Sequence, residues 1–291
     1  VALGFDGSYG RIAAFARDWR QRERERANRA SPGTFVPLIF APGEAFQFDW
    51  SEDWIRIGGK STKLQMAHFK LCHSRAFFLR AYPLQTHEML FDAHNHAFRV
   101  LGGVSERGIY DNMKTAVDKV GRGKERDINP RFFAMCGHYL FEPEFCNRAA
   151  GWEKGRVEKN VQDRRRQIWQ HASERRWKDF DELNAWLGQR CRALWNELTH
   201  PQYSGLSVAE VLELERAELM PVPAPFDGYV ERPARVSSTC LVSVGRNRYS
   251  VPCEYAGKWV SSRLYPTRIE VVADDALIAS HVRLLDRDQV S

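Results

Sequence analysis

The feature that most constrains this chain is the order in which its hydrophobic periods succeed one another. Period two governs the stretch from Ala45 to Ala81. Phe46 and Phe48 share one side of Ala45–Trp50, while Gln47 and Asp49 point to the other. Trp54–Ile57 and Leu64–Leu71 read as a hairpin about Gly58-Gly59, and Ala76–Ala81 as a third strand. A helical period then runs from Thr86, a candidate N-cap, to Leu101, where Gly102-Gly103 closes it. Arg107–Asp111 is a short strand, Asn129-Pro130 opens a helix, HYLFEPEF reads as a strand, and a polar helix runs from about Gly155 to Gln170. Three strands in an antiparallel meander, followed by strands separated by helices, predict an α/β fold with a mixed sheet.

The flanks read differently. Ser8 caps a predicted helix from Tyr9 to Arg29, ended by Ser31-Pro32-Gly33. Phe180–Leu198 and Ser207–Glu215 form further helices, and Pro221, Pro223 and Pro225 mark a linker. After Thr239 the stretches CLVSV, RYSVP, KWVSSRLY, RIEVVA and ALIASHVRL predict five short strands in a small β-barrel. The expected organisation is a basic helical linker over 1–35, an α/β core over 36–178, a helical extension and linker over 179–228, and an all-β domain over 229–291.

No apolar run approaches the roughly 18–20 residues of a membrane span, and no signal peptide precedes the first helix. A cytoplasmic protein with no membrane partner is expected. The chain starts at Val1 rather than Met, which predicts a longer parent protein. Six cysteines without a CxxC pair predict reduced, mostly buried thiols. His68, Cys72 and His73 lie near one another, as do His87, His94 and His96, but neither set has a zinc spacing. The net charge of +6 favours an acidic partner such as nucleic acid. Its distribution is sharper: seven arginines against three acids occupy Arg11 to Arg29, and Arg156, Lys159, Arg164, Arg165, Arg166, Arg175 and Arg176 form a second cluster.

Three acids stand out by position: Asp49 on the first strand, Asp111 at the end of the strand after the meander and helix, and Glu158 on the basic helix. The strands carrying Asp49 and Asp111 are expected to be neighbours, and a helix crossing that edge can deliver Glu158. Three carboxylates cannot remain ionised side by side without a cation. Mg²⁺ suits such hard oxygen donors and leaves positions open for phosphate and water. Glu153, three residues into GWEKGRVE, is the alternative third acid.

On these elements the chain resembles the DDE transposases of the retroviral-integrase-like, RNase H-like superfamily, and within them the IstA-type transposases of two-gene insertion sequences. The resemblance is carried by FDGSYGRIAAFARDWR, FQFDWSED, SRAFFLRAYPLQTHE, VSERGIYDNMKTAV, GWEKGRVEKNV and VSVGRNRYSVPCEYAGKWV, which span nearly the whole chain. It implies an RNase H-like core with a mixed five-stranded sheet, and Asp49, Asp111 and Glu158 as catalytic ligands of two Mg²⁺ or Mn²⁺ ions. Arg156, Lys159, Arg164 and Arg165 become candidate contacts to DNA, as do Arg246, Arg248 and Lys258 in the β domain. The implied activity cuts double-stranded DNA at transposon ends and joins the freed 3′-OH to target DNA. The implied partners are a second or further copy of the chain and an IstB-type AAA+ ATPase, with a helix-turn-helix region preceding Val1. Two rival readings are a related nuclease that never joins strands and a DNA-binding assembly protein without catalysis.

Overall fold

A single strand, β1 (Ala45–Ile57), runs through both segments that the sequence pattern divides. In this computed structural model the described residues are 39–110, 117–120, 126–145 and 168–291, with backbone alone for 117–120 and 126–128. The polar residues Ser51 to Asp53 interrupt the apolar alternation but not the strand. They pair in unbroken antiparallel register with β2 (Lys60–Leu71), from Phe46 opposite Leu71 to Ile57 opposite Lys60. Gly58 and Gly59, both at positive φ (57° and 79°), make the tight turn between them.

Strand β3 (Phe77–Tyr82) completes the expected meander against β2. Helix α1 (His87–Leu101) follows, with Gly102 as its left-handed C-cap. Thr86 occupies the N-cap position, but its hydroxyl donates to Glu88 instead of capping the helix. Strand β4 (Arg107–Tyr110) returns beside β1 and parallel to it. A small hairpin of β5 (Val117–Val120) and β6 (Arg126–Ile128) precedes α2 (Pro130–Tyr139). No apolar alternation announces that hairpin, because its strands are short and rich in charge. The Asn129 side chain accepts from the Arg131 and Phe132 amides and Pro130 opens α2, as the sequence predicts. The helix keeps His138 and Tyr139, so the following strand β7 is only Glu142–Phe145. It lies parallel to β4, giving a five-stranded mixed sheet in the order β3-β2-β1-β4-β7.

Aromatic rings fill the space between this sheet and α1. Phe46 and Phe69 meet Phe98 of α1 at 5.3 and 6.1 Å between centroids. Helix α3 (Phe180–Glu197) runs along the edge strand β3. There the Asn184 amide accepts from the Ala81 N–H and donates to its carbonyl, and the Trp195 indole donates to the Phe77 carbonyl. These bonds occupy an edge that would otherwise pair with another chain. Helix α4 (Val208–Glu215) ends in a carboxylate with no exposure, which accepts from the Gly43 and Ser74 amides.

Ser207 and Glu210 form a reciprocal capping box at the start of α4. Ser207→Ala is expected to destabilise the protein by about 1 kcal/mol, read as a lower urea midpoint at unchanged slope.

The C-terminal region holds six strands rather than five. Strand β8 (Val230–Arg235) comes before the segment where alternation becomes visible. Its sequence VERPAR is charged and contains Pro233, and it survives as a strand because it lies at a sheet edge, where proline is tolerated. It is followed by β9 (Leu241–Val244), β10 (Asn247–Ser250), β11 (Trp259–Leu264), β12 (Arg268–Ala273) and β13 (Ala276–Val282). They form an antiparallel sheet β13-β12-β11-β8 and a two-stranded sheet β10-β9 around one apolar core that includes Val242, Tyr249, Val260, Leu264 and Val271. Arg283, after β13, pairs with the buried Glu88 of α1 at 2.7 Å and so ties this region to the α/β core. Among the described residues no helix is long and apolar enough to cross a membrane.

Candidate active site

Strand alternation determines what surrounds Asp49. Phe46 and Phe48 are 1% and 2% exposed and face α1, whereas Asp49 is exposed on the opposite side of the sheet. His68 stands directly across from Asp49 on β2, and Lys70 across from Gln47. All four share a face, since residues paired across an antiparallel ladder point the same way. Lys70 is nevertheless buried, at 3% exposure.

Strand β4 runs alongside β1 and is described up to Tyr110, the residue before the second candidate. Its parallel register with β1 sets Gly108 beside Phe46 and Tyr110 beside Phe48. Gly108 is needed there, because a Cβ would lie 2.6 Å from Phe46 and 2.8 Å from Tyr110. Behind Phe48 and Tyr110 sits His94, with no exposure. Its Nδ1–H donates to the Leu90 carbonyl at 2.8 Å, so the neutral ring accepts the Tyr110 hydroxyl at Nε2, 2.7 Å away. Burial pushes the imidazole down to about 3 and holds it uncharged.

Asp111, Glu158 and the alternative Glu153 lie outside the described residues, as do Arg156, Lys159, Arg164, Arg165 and the helix predicted from Tyr9 to Arg29. Asp49 is the described member of the proposed triad. Its carboxylate sits on an exposed face, accessible to a hydrated cation, and an all-carboxylate donor set suits a hard ion such as Mg²⁺ or Mn²⁺. Among the described residues no three His, Cys, Asp or Glu side chains form a metal-binding group. That includes the two histidine-containing sets without zinc spacing. Cys72, Cys136 and Cys191 are buried free thiols, each pushed up to about 12 by burial.

The three cationic candidates of the β domain are exposed. Arg246 occupies the β9–β10 turn at φ 71°. Arg248 lies on β10, whose backbone bonds with Gln289 and Ser291. The Lys258 ammonium is 5.2 Å from the centre of the Tyr255 ring. Arg263 and Arg268 are instead paired with Glu231 and Glu270.

His94 is the residue of this region that motif reasoning passes over. The signal for it is the spacing Leu90, His94, Phe98 and Leu101, which places an imidazole on the apolar stripe of α1.

A mixed sheet in this order, with the first and fourth strands parallel at its centre, defines an RNase H-like core of the retroviral-integrase type. A transposase from Aminobacter aminovorans is 58% identical over 287 residues, covering 99% of this chain and 56% of that protein. The transposase for insertion sequences IS1326/IS1353 of Pseudomonas aeruginosa is 57% identical over 284 residues, covering 98% and 55%. The transposase for insertion sequence element IS21, also of Pseudomonas aeruginosa, is 30% identical over 282 residues, covering 96% and 70%. Residues 221–291 match the family described as Mu transposase, C-terminal domain. Among solved structures, a chain of the simian T-cell lymphotropic virus intasome in complex with PP2A regulatory subunit B56 gamma aligns with TM-score 0.47 and 12% identity, over 88% of this chain and 86% of that one. The chain therefore belongs to the IS21-type family of insertion-sequence transposases. It spans about half the length of the first two of these relatives.

Proposed function

We propose that this chain is the catalytic part of a transposase that cuts transposon ends and joins their 3′-OH groups to target DNA, with Asp49, Asp111 and Glu158 as its metal-binding carboxylates. One observation carries the reading: Phe48 and Tyr110 are register partners on adjacent parallel strands, and Asp49 and Asp111 are the next residues along each. A trans peptide places successive Cα atoms about 3.8 Å apart, and paired strands lie about 4.8 Å apart. This adjacency in register and sequence supports the assignment of Asp49 and Asp111 to one site.

In the first step a water oxygen attacks a phosphorus at the transposon end, and the P–O3′ bond breaks to leave a 3′-OH. In the second, that hydroxyl attacks a target phosphodiester and displaces a target 3′ oxygen. Divalent ions held by Asp49, Asp111 and Glu158 would supply charge stabilisation for this phosphoryl transfer. The carboxylates of Asp49 and Asp111 would hold and orient those ions, and Glu158 would complete the donor set. Arg156, Lys159, Arg164 and Arg165 bind DNA phosphates in this reading, as do Arg246, Arg248 and Lys258. The substrate is double-stranded DNA held by a dimer or larger assembly, with an IstB-type ATPase as partner, in the cytoplasm. The division at residues 35, 178 and 228 assigns catalysis to the second segment and binding to the first and last.

The deciding experiment supplies the full-length protein with Mg²⁺, a target duplex and, in parallel reactions, a precut or an uncut transposon end. Joined product is expected. Cleavage of uncut ends without joining would favour the nuclease reading, and neither activity the assembly-protein reading. A second measurement addresses the β domain. Arg246, Arg248 and Lys258 changed together to Ala should weaken end binding and flatten its log–log salt dependence by about 0.9 per lost phosphate contact. An unchanged slope with lost oligomerisation would make the domain a protein–protein module.

A further inference from the structure

We propose that His94 is a positioning residue for the active site, fixing from the sheet interior Phe48 of β1 and Tyr110 of β4, the residues that precede Asp49 and Asp111. The inference rests on the assignment of those carboxylates made above. His94 is enclosed by Phe46, Phe48, Phe69, Phe98 and Phe141, with ring centroids 4.7 to 6.2 Å away. A hydrocarbon ring in this cluster would avoid the cost of desolvating an imidazole. What the imidazole adds is direction. Ring packing is dispersive and lets neighbours slide, whereas a hydrogen bond weakens steeply with angle.

The bond from the Tyr110 hydroxyl to Nε2 is 2.7 Å, and Nδ1–H anchors the same ring to the Leu90 carbonyl at 2.8 Å. A rigid link therefore runs from the backbone of α1 through His94 to the last described residue of β4. The ring of Phe48 lies against the same imidazole at 5.1 Å and 32°. Phe48 and Tyr110 are partners in the β1–β4 register. One buried group thus holds both residues that immediately precede the carboxylates. Satisfied polar links of this kind specify one arrangement of a core where packing alone would admit several.

The test uses the full-length protein and the double variant His94→Phe/Tyr110→Phe, which keeps two rings and removes both polar partners together. Four quantities separate positioning from general stability: the thermal midpoint, the Kd for Mn²⁺ by electron paramagnetic resonance, and the kcat and KM of strand joining. The expected result is a midpoint within about 5 °C of wild type and an unchanged KM for DNA, with Mn²⁺ affinity and kcat each lowered about tenfold or more. A folded double variant with wild-type Mn²⁺ affinity and kcat would overturn the proposal. Should the double variant not fold, Tyr110→Phe alone, which keeps the ring and loses the hydroxyl, decides by the same readouts. Asp49→Asn measured in parallel separates the two levels of inference. If that variant retains Mn²⁺ binding and joining, the carboxylate assignment fails. If it loses both while the double variant behaves as wild type, only the positioning role fails.

Discussion

Asp49→Asn is expected to abolish DNA cutting and joining while leaving the fold and end binding intact. The side chain lies on the exposed face of β1, away from the aromatic cluster formed by Phe46 and Phe48, so its loss removes no core packing. Substitutions at such places usually change stability by less than about 0.5 kcal/mol. The amide keeps the shape of the carboxylate but lacks its negative charge, and so cannot serve as an anionic ligand to a divalent ion. A fall in joining rate of at least about a thousandfold, equivalent to roughly 4 kcal/mol of barrier, is the scale expected when such a ligand is lost. Mn²⁺ should replace Mg²⁺ in the wild type. Ca²⁺ should support assembly on DNA better than chemistry, because its looser coordination misaligns the reacting oxygens. Gel-based joining assays beside circular dichroism and a binding titration check all three points. A folded Asp49→Asn protein that joins strands at the wild-type rate would remove Asp49 from the mechanism.

Acidification is expected to destabilise the core through His94. The unfolded chain takes up a proton on this residue as pH falls through 6.5, whereas the folded state refuses it until about 3. Folding stability is therefore unaffected by His94 above pH 6.5 and falls across the window below it. The slope approaches 1.4 kcal/mol per pH unit, and the loss reaches on the order of 5 kcal/mol at the acid end. Carboxylates and other histidines contribute to the same acid limb. Comparing wild type with His94→Phe/Tyr110→Phe isolates the imidazole: urea titrations at pH 7, 6, 5 and 4 should show a shallower decline in the variant by up to one proton. Equal slopes in the two proteins would show that His94 titrates normally in the folded state. The double variant is the better comparison because His94→Phe alone would leave the Tyr110 hydroxyl buried without its acceptor.

Strands β1 to β4, helices α1 and α2 and strand β7 were legible in local residue types, whereas the short, charged hairpin β5–β6 between them was not. Two-residue alternation in Phe46-Gln47-Phe48-Asp49 places the carboxylate opposite the aromatic face, and β1 does so. Asn129-Pro130 and Ser207 announce their helices through capping chemistry that depends on adjacent residues. Tertiary structure decided what adjacency does not encode. The union of two predicted strands into β1 follows from its unbroken pairing with β2, which holds Ser51 to Asp53 extended without apolar side chains. Strand β8 exists because β11 offers it a ladder, although Pro233 and its charges give no apolar alternation. The buried Glu215 became a receptor for the amides of Gly43 and Ser74, residues far from it in the chain. His94 shows the difference most clearly. Its position on the apolar stripe of α1 was legible, but its partner Tyr110 comes from another strand, 16 residues away. Only the pairing of β4 beside β1 brings that hydroxyl to the imidazole, because hydrophobic periodicity selects a face and not the group that will meet it.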